Sequence, residues 1–593
     1  MPRSSPLTKF APLGSIAVVQ LLVILFVPST APADNAGSFG ANPGGAVGAP
    51  GVPAPGASSR VGGPAAPGGG GGGPAVGVSP GAGPGSSGPT KAQASDTTHC
   101  VGGRQYDPAI DYYAPPCLPG APGLAYPSSA GATWQGVTAK TIEIVHYVPA
   151  GNAELDSINK VQGLNYNKTQ AEVLNKGFEN FINQKYQLYG RKVRIDTVQG
   201  TCSTVPPDLQ CLIPEMDKIV TDYHPYAVVF STTVCSACFA ELNRLKVVTT
   251  GGYGFSDAFH DANAPYSYDP SMSSTRVELQ FADWWCHQMT SQQASGRKAI
   301  FAGKANPAQD FTNQPRVLGV IAANDPDNEK TVKEVLYPAL KKGCGETVKH
   351  DYFFAQDVNT AAQQTQAAMA RMNTTSNPAT SLLCLCDPSA PQFFYNAAQN
   401  NNYWPEAIFA ANETMDFDSN GQGYTDNNGA PTLACPRPTQ GCTYDGAVGL
   451  GSADPQVAAE KQAGYKIYKL GSGNAALPPG VGAPILDILW VNYNLLASLI
   501  SNNGPVLTPA RMQAAAPNLG SRGGGTTGHG LRRFSPGDWC WTQDVRVAYF
   551  NKHKTSPYNG KPGTYVSIEG RRFDLGQFPT LTQPPAPPVN GRT

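Results

Sequence analysis

From about residue 138 the chain switches between two hydrophobic periodicities. Thr141–Val148 (TIEIVHYV) is a β-branched run of strand length. In Gln170–Gln187, by contrast, Leu174, Phe178, Phe181 and Ile182 recur as one face of a helix. Strand Lys192–Val198, a helix near Leu212–Tyr223, strand Tyr226–Phe230, helix Ser236–Leu245 and strand Val247–Thr250 continue the series. Four strands separated by helices predict a parallel, doubly wound sheet.

The alternation then repeats. Helix Arg276–Gln288 reads as a crossing, followed by strand Val317–Ala322 and helix Glu329–Lys342, in which Pro338 must kink or end the helix. Strand Thr347–Phe354, helix Thr360–Met372, strand Ser381–Cys386, helix Ala390–Asn400 and strand Ala407–Ala410 complete the second unit. Beyond Asn412 the pattern predicts a long loop, Asp416 to Asp454, then helices Pro455–Leu470 and Ile485–Asn502. A strand-like Val545–Phe550 follows. The expected fold is α/β, two doubly wound parallel-sheet lobes forming a hinged clamshell. Lobe 1 is placed at 138–285, lobe 2 at 286–412, and segments returning to complete both at 413–578.

Composition changes the picture at the ends. Much of the 65 Gly and 54 Pro sits in residues 34–98, which include a six-Gly run ending at Gly73. Such a segment buries too little apolar surface to offset its ordering entropy, so it is expected to be a disordered linker, roughly 40–50 Å in root-mean-square span. Ahead of it, residues 1–33 combine Arg3 and Lys9, the apolar run Ile16–Val27 and the small-x-small triplet Ala31-Pro32-Ala33, the layout of an export signal. Cleavage and retention as an N-terminal membrane tether both remain open. Residues 99–137 form a Cys-containing extension and 579–593 a Pro-rich tail.

Balanced charge, 42 basic against 42 acidic residues, argues against a nucleic-acid partner. Thirteen cysteines agree with an oxidising compartment. Close pairs (Cys100/Cys117, Cys202/Cys211, Cys235/Cys238 and Cys435/Cys442) suit short-range bridges, whereas Cys384 and Cys386 are expected to pack or to bridge elsewhere. Cys235-Ser-Ala-Cys238 has redox-motif spacing without the flanking aromatic and Pro, which favours a structural bridge.

Ligands of open α/β sheets bind beyond the carboxyl ends of the strands. That rule selects Ser231-Thr232-Thr233-Val234, Gly251-Gly252-Tyr253 and the turn near Ala150 in lobe 1. In lobe 2 it selects Asn324–Asn328, Asp387-Pro388-Ser389 and Asn412-Glu413-Thr414. Hydroxyls at a helix start suit a carboxylate, although simple capping explains them equally well. Asp416-Phe-Asp418-Ser-Asn420-Gly421 opens like a calcium loop, but Asn427 stands where a bidentate Glu is needed. The one Gly-x-Ser-x-Gly, at Gly77–Gly81, lies in the linker. No phosphate loop or His-Glu-x-x-His occurs. No enzyme and no cofactor is expected.

The two α/β units resemble the branched-chain amino acid/amide solute-binding family of ABC importers, which has the type I periplasmic-binding-protein fold. The resemblance covers roughly residues 138–575 and is carried by VVFSTTVCSACFAELNRLKVVTTGGY, VLGVIAANDPDNEKTV and SPYNGKPGTYVSIEG. It implies a small polar ligand, an ABC permease as partner, and a cell-surface or secreted bacterial location. By the same likeness Thr232, Thr233, Gly252, Tyr253, Asp325, Asp387, Ser389 and Glu413 are the ligand-binding candidates. A surface-tethered sensor or adhesion module of the same fold, without an importer, is the alternative.

Overall fold

Strands β1 (Thr141–Val148), β2 (Lys192–Gln199), β3 (Ala227–Val229), β4 (Val248–Thr250) and β5 (Ser267–Tyr268) form one sheet, in the order β2-β1-β3-β4-β5. Every pairing in it is parallel. Helices α1 (Lys168–Lys185), α2 (Leu209–Tyr223), α3 (Ser236–Arg244) and α4 (Asp257–Ala262) provide the connections. α1 starts where it does because of a reciprocal cap. Asn167 Oδ1 accepts from the Gln170 amide at 3.0 Å, while Gln170 Oε1 accepts from the Asn167 amide at 2.8 Å. These coordinates are a computed structural model that describes residues 100–118, 130–152, 156, 159–160, 163–231, 235–252, 254–290, 298–299, 311, 314–412 and 414–582. The expected signal or anchor at 1–33 and the linker at 34–98 lie outside them. All described residues belong to one compact unit, Gly81–Thr593.

The second sheet repeats the first winding. β6 (Leu318–Ala323), β7 (His350–Phe354), β8 (Ser381–Leu385), β9 (Glu406–Phe409) and β10 (Val448–Gly451) run parallel in the order β7-β6-β8-β9-β10. β11 (Asp544–Thr555) and β12 (Pro562–Asp574) add an antiparallel hairpin at the β10 edge. The connecting helices are α5 (Ser274–Trp284), leading in from the first lobe, then α6 (Pro326–Thr331), α7 (Tyr337–Cys344), α8 (Ala361–Met372), α9 (Ala390–Asn400) and α10 (Asp418–Tyr424). After β10 the chain returns to the first lobe as α11 (Ala463–Gly471), α12 (Ala483–Asn503) and α13 (Pro509–Ala515).

The chain therefore crosses between the lobes three times, near Asp269–Ser273, Ser452–Gln462 and Ser535–Gln543. The first and third crossings are tied together: the Asp269 amide donates to Trp539 O at 3.0 Å and the Trp541 amide to Asp269 O at 2.8 Å. The unpaired, buried Cys540 lies in the third crossing against His260 Nε2 at 3.4 Å. α12 is long and apolar enough to pass for a membrane span, yet 89% of its most apolar window is buried inside the protein. It is a core helix, and Asp111 of the N-terminal extension accepts from its Trp490 and Asn494 at 2.8 Å each.

Several expectations change. Met272, Val277, Phe281, Trp284 and Trp285 pack with Leu318 and Leu383 of the second lobe. The boundary drawn after residue 285 thus moves back to the Asp269–Ser273 crossing. Helix 329–342 begins earlier, at Pro326, and a π-turn over Val332–Leu336 separates its two α segments. The wider turn absorbs the missing amide of Pro338 and the clash of its ring. The 416–454 loop contains α10 and β10, both too short to carry a periodicity. Helix 455–470 shortens to Ala463–Gly471. β12 has no counterpart in the hydrophobic pattern, because SPYNGKPGTYVSIEG carries the polar, Gly-punctuated texture of an edge strand.

Bridges join Cys100–Cys117, Cys202–Cys211, Cys235–Cys238, Cys286–Cys344 and Cys435–Cys442. Cys384 and Cys386 were expected to pack or to bridge elsewhere, but they pair with each other. The second sheet is pinned at its amino-terminal edge by one ion pair with no solvent exposure. Arg316 donates from Nε and Nη2 to the two oxygens of Glu406 at 2.9 Å each, and from Nη1 to Met289 O at 2.6 Å. Removing either charge strands the other in the interior. Arg316→Met and Glu406→Gln should each lower unfolding stability by about 3–5 kcal/mol, read as a fall in the urea midpoint. An unchanged midpoint would remove this pair from the core's essentials.

Candidate functional site

Both sheets have the order 2-1-3-4-5, so each has a switch point where its winding reverses, beside β1/β3 in the first lobe and β6/β8 in the second. A cleft of about 880 Å3 lies between the lobes against these strand ends. Its first-lobe wall is formed by Val148–Asn152 after β1, Leu164–Asn167 ahead of α1, Gln199–Thr201 after β2 and Ser231 after β3. Its second-lobe wall comprises Phe354–Asp357 after β7, Asp387–Ala390 after β8, Phe393 and Phe394 on α9, and Thr414. The volume falls in the range of small-molecule pockets.

A chain of hydrogen bonds runs from the first-lobe core to the cleft. Tyr493 donates to Asn175 Oδ1 at 2.7 Å. Asn175 Nδ2 donates to Thr197 Oγ1 at 2.8 Å, and Asn175 flanks His146 Nδ1 with its Nδ2 at 2.9 Å and its Oδ1 at 3.2 Å. The other ring nitrogen, Nε2, faces Tyr166 Oη at 3.1 Å. Tyr166 Oη in turn hydrogen-bonds Ser231 Oγ, and both residues line the cleft. Burial lowers the His146 pKa to about 4, against a rise from the Asn175 hydrogen bond, and burial raises that of Tyr166. The relay is therefore neutral at neutral pH. The Tyr166 and Ser231 hydroxyls thus present a neutral hydrogen-bonding pair to the cleft.

The turns behind this wall are held by side chains. Gln199 Nε2 donates to Pro149 O at 2.8 Å, and Tyr147 donates to Glu215 at 2.6 Å while the Thr201 amide and hydroxyl share the other Glu215 oxygen. Across the cleft, Gln364 brackets Ala355, accepting from its amide at 2.6 Å and donating to its carbonyl at 2.9 Å. Phe354 and Phe394 meet edge to face at 5.1 Å, and the half-buried Phe393 adds a further ring to the lining.

Of the candidates chosen from sequence, Asp387 and Ser389 line the cleft. Asp387 Oδ1 accepts from the amides of Ser389 and Ala390, fixing the start of α9. Asp325 does not reach this cleft. It caps α6 and accepts from Ser236 of the first lobe at 3.1 Å, a bond between lobes. Its neighbour Asp327 accepts from the Ser256 amide at 2.8 Å in the same way. Gly252 is a packing residue, because a Cβ there would strike the Phe255 ring. Thr232, Thr233, Tyr253 and Glu413 lie outside the described residues, although their neighbours Ser231 and Thr414 line the cleft.

The calcium-loop residues are committed elsewhere. Asp416 pairs with Arg546 at 3.0 Å. Asp418 accepts from Ser556 at 2.6 Å, Thr564 at 2.9 Å and the Tyr565 amide at 2.9 Å. Asn420 donates to Thr414 O at 2.7 Å. They are the scaffold of α10 against the β11–β12 hairpin. Sequence reasoning missed His146, Tyr166 and Phe393. The Asn167-x-x-Gln170 capping box was the available signal for Tyr166, since it marks the residue entering α1.

No protein-family model matches the chain, and no curated protein matches it. Solved structures do match. A solute-binding protein of an ABC transporter from R. palustris, in complex with 4-hydroxybenzoate, is 12% identical, with 74% of this chain and 98% of that chain covered and a TM-score of 0.45. A branched-chain amino acid ABC transporter protein from Thermus thermophilus with bound valine is 9% identical, with 74% and 98% covered and a TM-score of 0.48. A leucine/isoleucine/valine-binding protein, so described as possible, from Rhodopirellula baltica SH 1 is 12% identical, with 72% and 96% covered and a TM-score of 0.46.

The relay makes a prediction. The unfolded chain protonates His146 near 6.5 and the folded chain only near 4. The contribution of the neutral imidazole is therefore complete above pH 6.5 and is lost as pH falls toward 4. Across that window the wild type should lose up to about 3 kcal/mol more stability than His146→Gln, measured by urea unfolding at each pH. Parallel pH slopes would show that His146 is not held neutral.

Proposed function

We propose that the protein is an exported solute-binding protein that closes its two lobes on a small molecule and presents the loaded form to an ABC importer. The observation that carries this reading is the inter-lobe cleft, walled by the strand ends of both sheets. A molecule touching Ser231 and Tyr166 on one side and Asp387 and Phe393 on the other is bound fully only when the lobes are together. Ligand then favours the closed state by its differential affinity, and closure is what a membrane partner reads. Three crossings running between the lobes support hinge motion.

The lining supports a ligand with an acceptor-bearing polar head, such as an amino acid, an amide or a small carboxylate, and an apolar body. The head meets the Ser231 hydroxyl while the body lies against Phe393 and Leu164. Export rests on the reading of residues 1–33. Binding without turnover needs no more than these contacts.

The test is a thermal-shift panel of amino acids, amides, small carboxylates and sugars against the full chain. A native-state ligand at a hundred times its Kd adds about 2.7 kcal/mol of stability. Ser231→Ala and Phe393→Ala should each weaken a hit by about tenfold or more, roughly 1.4 kcal/mol, while solution scattering reports a smaller radius with ligand. A hit that survives both substitutions unchanged would move the site elsewhere. No hit on a folded sample would overturn the solute-receptor reading for these ligand classes.

A further inference from the structure

The N-terminal extension and the segment before the third crossing meet on a face built from arginines and rings. Arg522 and Arg532 pair across a short antiparallel ladder, the Arg522 amide donating to Arg532 O at 3.0 Å and the Arg532 amide to Arg522 O at 2.8 Å. Residues that exchange both bonds stand directly opposite, with their side chains on one face of the ladder. The turn closing it is tight: the Gly524 amide donates to His529 O at 2.8 Å, and a Cβ on Gly523 would strike Gly530 O. Each guanidinium lies over a ring of the extension, Arg522 over Tyr112 at 4.2 Å and Arg532 over Tyr113 at 3.5 Å. His529 also stacks on Tyr112, at 3.9 Å between ring centroids.

Like charges directly opposite each other destabilise such a ladder, and a third charge comes close. Burial and the neighbouring Arg522 charge hold the Arg104 guanidinium below its ordinary range. Other arginines of this region are paired, Arg533 with Asp574 at 2.9 Å and Arg572 with Asp544 at 2.8 Å. Among the described residues, Arg104, Arg522 and Arg532 form no ion pair of that kind. Asp454 is shared among the Gly530 amide at 2.7 Å, Tyr113 Oη at 2.9 Å and His529 Nδ1 at 3.4 Å. All three arginines are half-buried. Arg104 gives the protein one side-chain bond, from Nη1 to Ala114 O at 3.3 Å. In Arg522 the buried atom is Nε, so Nη1 and Nη2 are the part that solvent reaches.

We propose that this face is an oxyanion site, in which Arg104 and Arg522 grip a phosphate group with their terminal N–H groups and Arg532 adds its charge from the opposite rung. A planar guanidinium presents parallel donors to two oxygens of one phosphate, and a ring beneath it holds the fork in place. Phosphate bound there offsets the repulsion among the three charges and ties the extension to the segment that feeds the third crossing. The site is separate from the cleft and needs no solute in it. Free phosphate and the headgroups of anionic lipids carry the same group, and the test separates them.

The test uses the full chain with no organic solute, so its outcome is independent of the solute panel. Melting is followed in sodium phosphate against sodium chloride at equal pH and ionic strength, and flotation with phosphatidylglycerol vesicles against phosphatidylcholine vesicles. Phosphate that binds the native state raises the melting temperature by mass action. Arg522→Gln and Arg104→Gln should each weaken the response by about tenfold or more, the loss of one charged hydrogen-bonding partner. Arg371→Gln, which removes a surface charge facing Asp351 in the second lobe, should leave it unchanged. A melting shift that the two variants reduce assigns the site to free phosphate. A preference for phosphatidylglycerol that they reduce, without a shift in free phosphate, assigns it to lipid headgroups. No response in either arm overturns the proposal, and so does a response that both variants leave intact or that Arg371→Gln lowers equally.

Discussion

The structure depends on one property of parallel sheets. Their strands all end on the same edge, and helices cover both faces, so only that edge is left open for chemistry. Each lobe obeys this with the same order, β2-β1-β3-β4-β5 and β7-β6-β8-β9-β10. Facing two such edges across three chain crossings produces a cleft without any dedicated binding motif. The short β3 and β4, three residues each and wholly buried, end just where Ser231 and Gly251 begin the loops.

The two walls differ in electrostatic character. In the first lobe, Asp156 and Lys160 of opposite charge line the cleft beside a neutral relay that reaches back into the core at Asn175 and Tyr493. In the second lobe, carboxylates dominate: Asp357 and Asp387 in the cleft, and Asp325 and Asp327 where the lobes touch. A neutral relay costs no ion desolvation. Asp325 and Asp387, placed at helix starts, are held by backbone amides.

Rigidity is supplied from outside the sheets. Asp111 in the extension preceding β1 accepts from Trp490 and Asn494 of α12 and from Tyr106, so a segment of irregular backbone is locked to the most buried helix. Tyr113 Oη lies 2.9 Å from Asp454 Oδ1 and 2.8 Å from Gly530 O, its one proton shared between them, and so binds the same extension to the second crossing and the segment before the third. The crossings are thus framed by aromatic hydroxyls and two carboxylates beside the buried rings of Phe534, Trp539 and Trp541.

Sequence alone determined the elements whose periodicity is local. Helix Ala390–Asn400 and strand Thr141–Val148 were legible residue for residue, because a helical face or a β-branched run is written within one element. The doubly wound, two-lobed fold followed from their alternation, and the strand-end rule reached Asp387, Ser389 and Ser231. Tertiary structure decided what depends on distant partners. It assigned α5 to the second lobe, revealed β12 through its pairing with β11, turned Asp416 and Asp418 from loop oxygens into anchors for Arg546 and Ser556, and buried Gly252 under Phe255. His146 was invisible for the same reason. A titratable residue inside a strand carries no local mark of function, and only its surroundings, from residues far along the chain, determine whether it is neutral or paired.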